Sequence, residues 1–272
     1  HPVVKKGVEF LNQSVRPDGS WPIDTNLATW VPTLSINALG DSVRELLTEN
    51  ERAKIRDWLL AQQYREVHPY TNAAPGGWAW TDLPGGVPDA DDTPGALIAL
   101  KHLGDDCREA ARLGVSWLLD LQNRDGGIPT FCRGWTNLPF DRSSPDLTAH
   151  SMRAWQAWRG DLPGLHDCID NAYARAVRYL ANSDGSHGWA PLWVGNQHAP
   201  EEINWTYGTA KVAMALNEPA QLAQPGGTMR QRGARNCLLH LQREDGAWGG
   251  CENGPASIEE TALALEALSG IG

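Results

Sequence analysis

The sequence predicts an all-α protein of about five helical hairpins closed towards a ring, an α/α toroid, and three observations lead there. A charged amphipathic helix, a Gly-rich turn and a more apolar helix recur at roughly 50 to 60 residues, long for a solenoid but suited to a hairpin array. No strand-like alternation of apolar and polar residues competes with the helical period. Thr33, Thr93, Thr148, Thr209 and Thr261 fall at equivalent places, each opening the apolar helix of a hairpin.

Taken in order, the first hairpin runs from the helix around Val3–Leu11, through Asp18-Gly19-Ser20-Trp21, to Thr33–Leu39. The second pairs Arg52–Gln63 with the helix after Thr93, and Gly76-Gly77-Trp78 supplies its turn. The third pairs Ala111–Gln122 with the helix after Thr148, through Asp125-Gly126-Gly127. The fourth pairs Ala172–Ala181 with the helix after Thr209, and Gly188-Trp189 lies between. The fifth pairs Arg232–Gln242 with Thr261–Leu268, through Asp245-Gly246-Ala247-Trp248. The first helix of each pair carries charge and suits an outer position; the second is apolar enough to be buried all round. A turn motif of Gln, two to five residues, then Gly–x–Trp is clearest at Gln242–Trp248, where a Gln amide stacked on an indole would tie one outer helix to the next. Trp21, Trp189 and Trp248 are therefore expected to be structural.

The 272 residues suit one large domain, taken here as 1–272; the chain opens on His1 and stops at Gly270-Ile271-Gly272, which reads as a piece of a longer protein. A net charge of −10 and a pI near 5.2 argue against nucleic acid or an anionic membrane surface as the main partner. No apolar run approaches a membrane span and no signal-peptide pattern opens the chain. Five cysteines without Cys-x-x-Cys spacing suggest a reduced, cytoplasmic setting without structural zinc. Thirteen Trp against 3 Phe point to a demand for large, electron-rich rings.

The candidate chemistry centres on Pro88-Asp89-Ala90-Asp91-Asp92-Thr93-Pro94. Crowded carboxylates repel, which drives at least one towards the protonated form, and a neutral carboxyl at pH 7 can act as a general acid. Capping is the competing use: Pro94 fits the first helical position, with Thr93 or Asp92 as N-cap. The ring arrangement adds what capping does not predict. If every inner helix begins at one rim, then Trp30, the three aspartates, Asp146, Trp205, Tyr207 and Glu259-Glu260 converge there, with His150 one step inside. Trp78, Trp80, Phe131 and Trp193 stand on neighbouring loops; an aromatic face stabilises a cation by roughly 0.5 to 2 kcal/mol, although core packing is the plain alternative for any one ring. His150 follows Asp146 by one turn, and as an imidazolium donating to Asp91 it would raise the acidity of that carboxyl. The spacing matches neither an EF-hand nor a zinc set, so no metal is expected.

The Asp89–Thr93 stretch and the Gln–Trp turns together resemble the class II terpene cyclases, specifically the squalene–hopene cyclases. Gly76-Gly77-Trp78-Ala79-Trp80, Pro145–His150 and Asn204–Thr209 are similar to further family segments, so the resemblance covers nearly the whole chain. It implies a toroid that normally closes with six hairpins, a second α-barrel domain elsewhere in the same chain, and no cofactor. It further implies cyclisation of squalene or another apolar polyprenoid: Asp91 protonates a terminal alkene, Asp89 and Asp92 hold it, and His150 raises its acidity. Trp30, Trp78, Trp80, Phe131, Asp146, Trp193, Trp205, Tyr207 and Glu260 would bind substrate, with Glu259-Glu260 standing where hopene cyclases tend to have a neutral amide. Peripheral docking on the inner membrane is an expectation for the full-length protein. A non-catalytic toroid that binds an apolar ligand or a partner protein, and a prenyltransferase subunit of the same architecture, stand as the alternatives.

Overall fold

The computed structural model describes residues 1–21, 26–104, 107–133, 141–183, 188–217 and 227–269. The closing Gly270-Ile271-Gly272 lies outside them. The helices are α1 (Pro2–Ser14), α2 (Trp30–Leu39), α3 (Val43–Leu46), α4 (Glu49–Ala61), α5 (Asp92–Leu103), α6 (Arg108–Leu121), α7 (Pro145–Arg159), α8 (His166–Asn182), α9 (Trp205–Leu216), α10 (Gly227–Leu241) and α11 (Ile258–Ser269). Among the described residues β-pairing is confined to two isolated antiparallel bridges, Asp89 with Phe131 and Ile128 with Ser144.

Helices α2, α5, α7, α9 and α11 pack one on the next in chain order, and α4, α6, α8 and α10 pack around them. This is the α/α toroid. The middle three inner helices have neighbours on both flanks, and α5 is buried from Asp92 to Leu100. The terminal two do not follow the expectation of all-round burial: α2 buries only Thr33 and Ile36, and α11 only Glu260, Ala264 and Ala267. Among the described residues α2 packs chiefly on α5 and α11 chiefly on α9, each with one main inner neighbour. No residue of α1 is buried. No helix among the described residues is long and apolar enough to cross a membrane.

The recurring threonines do more than mark a position. The amide of the turn residue donates to the threonine hydroxyl in four hairpins: Trp78 to Thr93 at 3.0 Å, Ile128 to Thr148 at 2.9 Å, Trp189 to Thr209 at 3.2 Å and Trp248 to Thr261 at 3.0 Å. These threonines lie inside the first turns; the inner helices begin one to four residues before them. Each indole then reaches back to the outer helix of its own hairpin, Trp78 to the Leu59 carbonyl, Trp189 to Leu180 and Trp248 to Leu238. The Gln amides hydrogen-bond to backbone carbonyls. Gln63 donates to the carbonyls of Gly76 and Ala110, at 2.8 and 2.9 Å, and so pins its turn to the next outer helix, α6. Gln122 repeats this with Gly126 and with Ala172 of α8.

Candidate active site

The acidic segment is fastened before α5 begins. Ala90 donates to the Thr130 carbonyl at 2.8 Å, and Asp89 pairs with Phe131, so the segment lies along a neighbouring loop. Helix α5 starts at Asp92 with Asp91 as N-cap, two residues earlier than the Pro94 start read from sequence. The carboxylate that caps is Asp89: its Oδ1 accepts the amides of Asp91 at 2.9 Å and Asp92 at 2.7 Å. Pro94 is tolerated at the third position because first-turn amides have no intrahelical partner to lose.

This geometry gives the three aspartates different surroundings. Asp89 and Asp92 are buried, whereas the Asp91 side chain keeps 31% of its surface open at the mouth. Burial, opposed by the two amides and reinforced by Asp91, pushes the Asp89 carboxyl up to about 7. Burial first, then repulsion from Asp89 and Asp91, pushes Asp92 well above the carboxylate range. The two buried acids thus form a proton-holding pair behind an accessible third.

Asp91 meets residues from two other inner helices. The indole Nε1 of Trp30 donates to its Oδ2 at 3.3 Å, and Nε2 of His150 lies 3.9 Å from its Oδ1. The expected imidazolium is corrected here. His150 is buried, and desolvation, with Lys211 and Arg153 adding positive charge nearby, holds its pKa well below 6.5. At neutral pH it is an uncharged imidazole. Asp146, one turn before it, accepts from the Ser144 hydroxyl; burial raises its pKa, and the repulsion of Asp91 adds to that. The Tyr207 phenol is likewise buried and raised, by desolvation and then by Asp91, Asp146 and Glu259.

The aromatic candidates divide. Trp80 is half-buried, and its carbonyl accepts the amides of Thr29 and Trp30, docking the start of α2 beside the acid. Phe131 flanks Asp89, Trp205 opens α9, and Trp193 is exposed on a loop. Trp78 belongs with Trp189 and Trp248 as a fully buried turn ring; a Cβ on Gly114 of α6 would come within 2.8 Å of it. It is a packing residue, because the Gly-Gly-Trp register turns this indole back onto α4 while Trp80, two residues on, stays at the rim. Glu260 also departs from the substrate-facing expectation. Its buried Oε1 accepts from Asn196 at 3.0 Å and Asn204 at 2.8 Å, and Asn204 in turn caps α9 through the Tyr207 amide. Glu259 is the acid whose charge reaches Tyr207. Lys211 was not foreseen: it stands one turn past Tyr207, its ammonium 5.4 Å from the ring centroid, and it acts on Asp146, His150 and Glu259. Among the described residues no three His, Cys, Asp or Glu side chains converge on a metal-sized point.

Comparison with known proteins decides the family. The profile of the squalene–hopene cyclase C-terminal domain matches residues 27–265. The chain belongs to this family. Enfumafungin synthase of Hormonema carpetanum is 28% identical over 98% of the chain and 22% of its own length. A probable squalene–hopene cyclase of Sinorhizobium fredii is 28% identical over 89% of the chain and 40% of its own length. This squalene–hopene cyclase-type chain therefore spans well under half of these relatives. Its fold is shared with the ent-copalyl diphosphate synthase of Streptomyces platensis, with a TM-score of 0.69 at 24% identity over 96% of the chain and 43% of that protein.

Proposed function

We propose that this toroid carries the acid half of a class II cyclase, which folds a polyprenoid such as squalene and closes its rings after protonating a terminal alkene at Asp91. The observation that carries this reading is the division among the aspartates. Asp89 and Asp92 are buried and hold protons between them, while Asp91 reaches open space with Trp30 and His150 against its two oxygens.

In this mechanism the proton on the Asp91 carboxyl passes to the terminal carbon of the alkene. The π pair becomes the new C–H bond, and the neighbouring carbon becomes a tertiary cation. Each further alkene attacks the cation before it, forming one C–C bond and moving the charge along the chain. Loss of a proton or capture of water ends the sequence, and solvent reprotonates Asp91. The Trp30 indole stabilises the carboxylate left behind. Neutral His150 adds no second positive charge where the first carbocation forms. Trp80, Phe131, Trp193, Trp205 and Tyr207 are the rings available to later cations. No cofactor enters this scheme. We assign the reaction to the full-length protein in the cytoplasm or at the inner membrane face, with a second barrel roofing the cavity.

The test is incubation of the longest natural form with squalene and with shorter polyprenoids, followed by mass spectrometry of the extracted lipids. A cyclic isomer of any of them is expected. Uncyclised recovery of all, from folded protein, would overturn the reading in favour of a binding toroid.

A further inference from the structure

Glu260 of α11 is buried, and what its Oε1 meets is a pair of side-chain amides, Asn196 at 3.0 Å and Asn204 at 2.8 Å. Each amide leads to an aromatic residue of the mouth. Asn204 caps α9 by accepting the Tyr207 amide at 3.1 Å, which sets the first turn that carries the phenol. Asn196 belongs to the loop that leads into α9, and Trp193 stands on the same loop. The other foot of this loop is held by a second buried acid. The Leu192 amide donates at 3.0 Å to the Ser144 hydroxyl, which in turn donates to Asp146. Trp193 therefore lies between two anchors, one at the start of α7 and one at the start of α11.

The loop is shaped to reach Glu260. Glu201 and Glu202 take left-handed backbone, at φ 56° and 58°, a conformation that is costly for residues with a Cβ. Here it accompanies a return of the chain, in which the Glu202 carbonyl accepts the Asn196 amide at 2.9 Å. Gly250, shortly before α11, leaves the passage open: a Cβ there would come within 2.5 Å of the Asn196 side chain.

The plain alternative is that Glu260 only stabilises the fold. The position just before each inner-helix threonine argues against it, because buried Leu147 fills that position in α7 and an apolar residue serves the toroid there. Burying a carboxylate together with two amides is the costlier choice for packing alone.

We infer that Glu260 is a positioning residue for the cyclisation, holding Tyr207 through Asn204 and the Trp193 loop through Asn196, so that both rings stand where the later cations pass. This rests on the reading of Asp91 as the acid. Without that hold, an early cation would lose its proton to water before the last ring closes.

The test combines hydrogen–deuterium exchange with cyclisation of squalene and of geranylgeraniol by the longest natural form. The variants are Glu260→Leu, Glu260→Gln, Gly250→Ala and Asp91→Asn. Glu260→Leu should exchange about tenfold faster over 192–207 and at the wild-type rate over α5. Its cyclisation rate should fall by about tenfold, with a larger share of products that have fewer rings. Glu260→Gln keeps an oxygen acceptor and should recover most of both. Gly250→Ala leaves Glu260 in place, displaces Asn196, and should reproduce the product shift. Wild-type exchange over 192–207 in Glu260→Leu would overturn the inference, and so would faster exchange with the wild-type product ratio. Equal loss in Glu260→Gln and Glu260→Leu would overturn it too, since the carboxylate would then act on the substrate itself. Asp91→Asn should stop cyclisation and leave exchange over 192–207 unchanged. If the wild type cyclises neither polyprenoid, the acid reading fails, and exchange in Glu260→Leu still decides whether Glu260 holds the loop and Tyr207.

Discussion

The indole N–H of Trp30 points at Asp91 Oδ2 from 3.3 Å, joining the first inner helix to the acid that opens the second. In the proposed reaction this donor is already in place for the carboxylate that remains after proton transfer. Trp30→Phe keeps an aromatic ring and removes the donor. Cyclisation should fall about tenfold, the cost of one hydrogen bond to a charged group, with the melting temperature unchanged. Steady-state kinetics beside a thermal melt checks this, and full activity in Trp30→Phe would show that only the ring matters.

The buried acids set one side of the stability–pH profile. The folded-state pKa of Asp89 is raised from 3.8 to about 7, and that of Asp92 is raised well above its ordinary value, so the fold binds protons that the unfolded chain has released. Their protonation supports the fold at low pH, and that support is lost as pH rises from near 4 through 7. Asp92→Asn removes one buried acid and the repulsion it feels. The variant should gain stability over wild type as pH rises through this window, with the largest difference above pH 7. Denaturant melts at several pH values measure it, and a difference independent of pH would contradict the burial of Asp92.

His150 works in the opposite direction. Its pKa is lowered below 6.5, so the unfolded chain takes up a proton that the fold refuses. Wild type should therefore lose stability as pH falls through 6.5, and His150→Gln should lose less. The imidazole resonances of His150 should also show a neutral ring at pH 6.5. An ionised ring at that pH would restore the imidazolium expected from sequence.

Gly188 and Gly160 make a matched pair. Gly188 has φ +105° and a Cβ there would come within 2.2 Å of the Thr209 hydroxyl that holds the Trp189 amide. Gly160 sits in right-handed helical backbone at φ −70°, with nothing within 4 Å of a Cβ. Gly188→Ala should destabilise by about 1–3 kcal/mol from backbone strain alone, with the clash adding to it. Gly160→Ala should be neutral or slightly stabilising. Paired denaturation curves decide it.

Much of the ring was legible because its signals are local. Apolar period, Gly-containing turns and the spacing of five threonines located the inner helices to within a few residues. What those threonines do was not legible, since it depends on each turn folding back onto an inner helix. Orientation was the other blind spot. Sequence placed an aromatic ring at Trp30 but not the direction of its N–H. Consecutive helical side chains diverge by about 100°, so Glu259 and Glu260 were indistinguishable until Glu260 was seen bonded to Asn196 and Asn204. Trp78 and Trp80 were read alike because the irregular backbone that carries them has no period to fix which way each ring points. Lys211 was passed over because its apolar neighbours read as an ordinary inner helix, although a lone lysine in such a run is itself the signal.

Delivery of the proton by Asp91 is tested directly by single-turnover cyclisation with Asp91→Asn at matched protein concentration and confirmed fold. Asparagine keeps the size and the bond from Trp30 and has no acidic proton to give. The expected rate is lower by a factor on the order of 10³ or more, with the melting temperature and ligand binding close to wild type. A rate within a few-fold of wild type would contradict it, and would place the proton on another acid of the cluster.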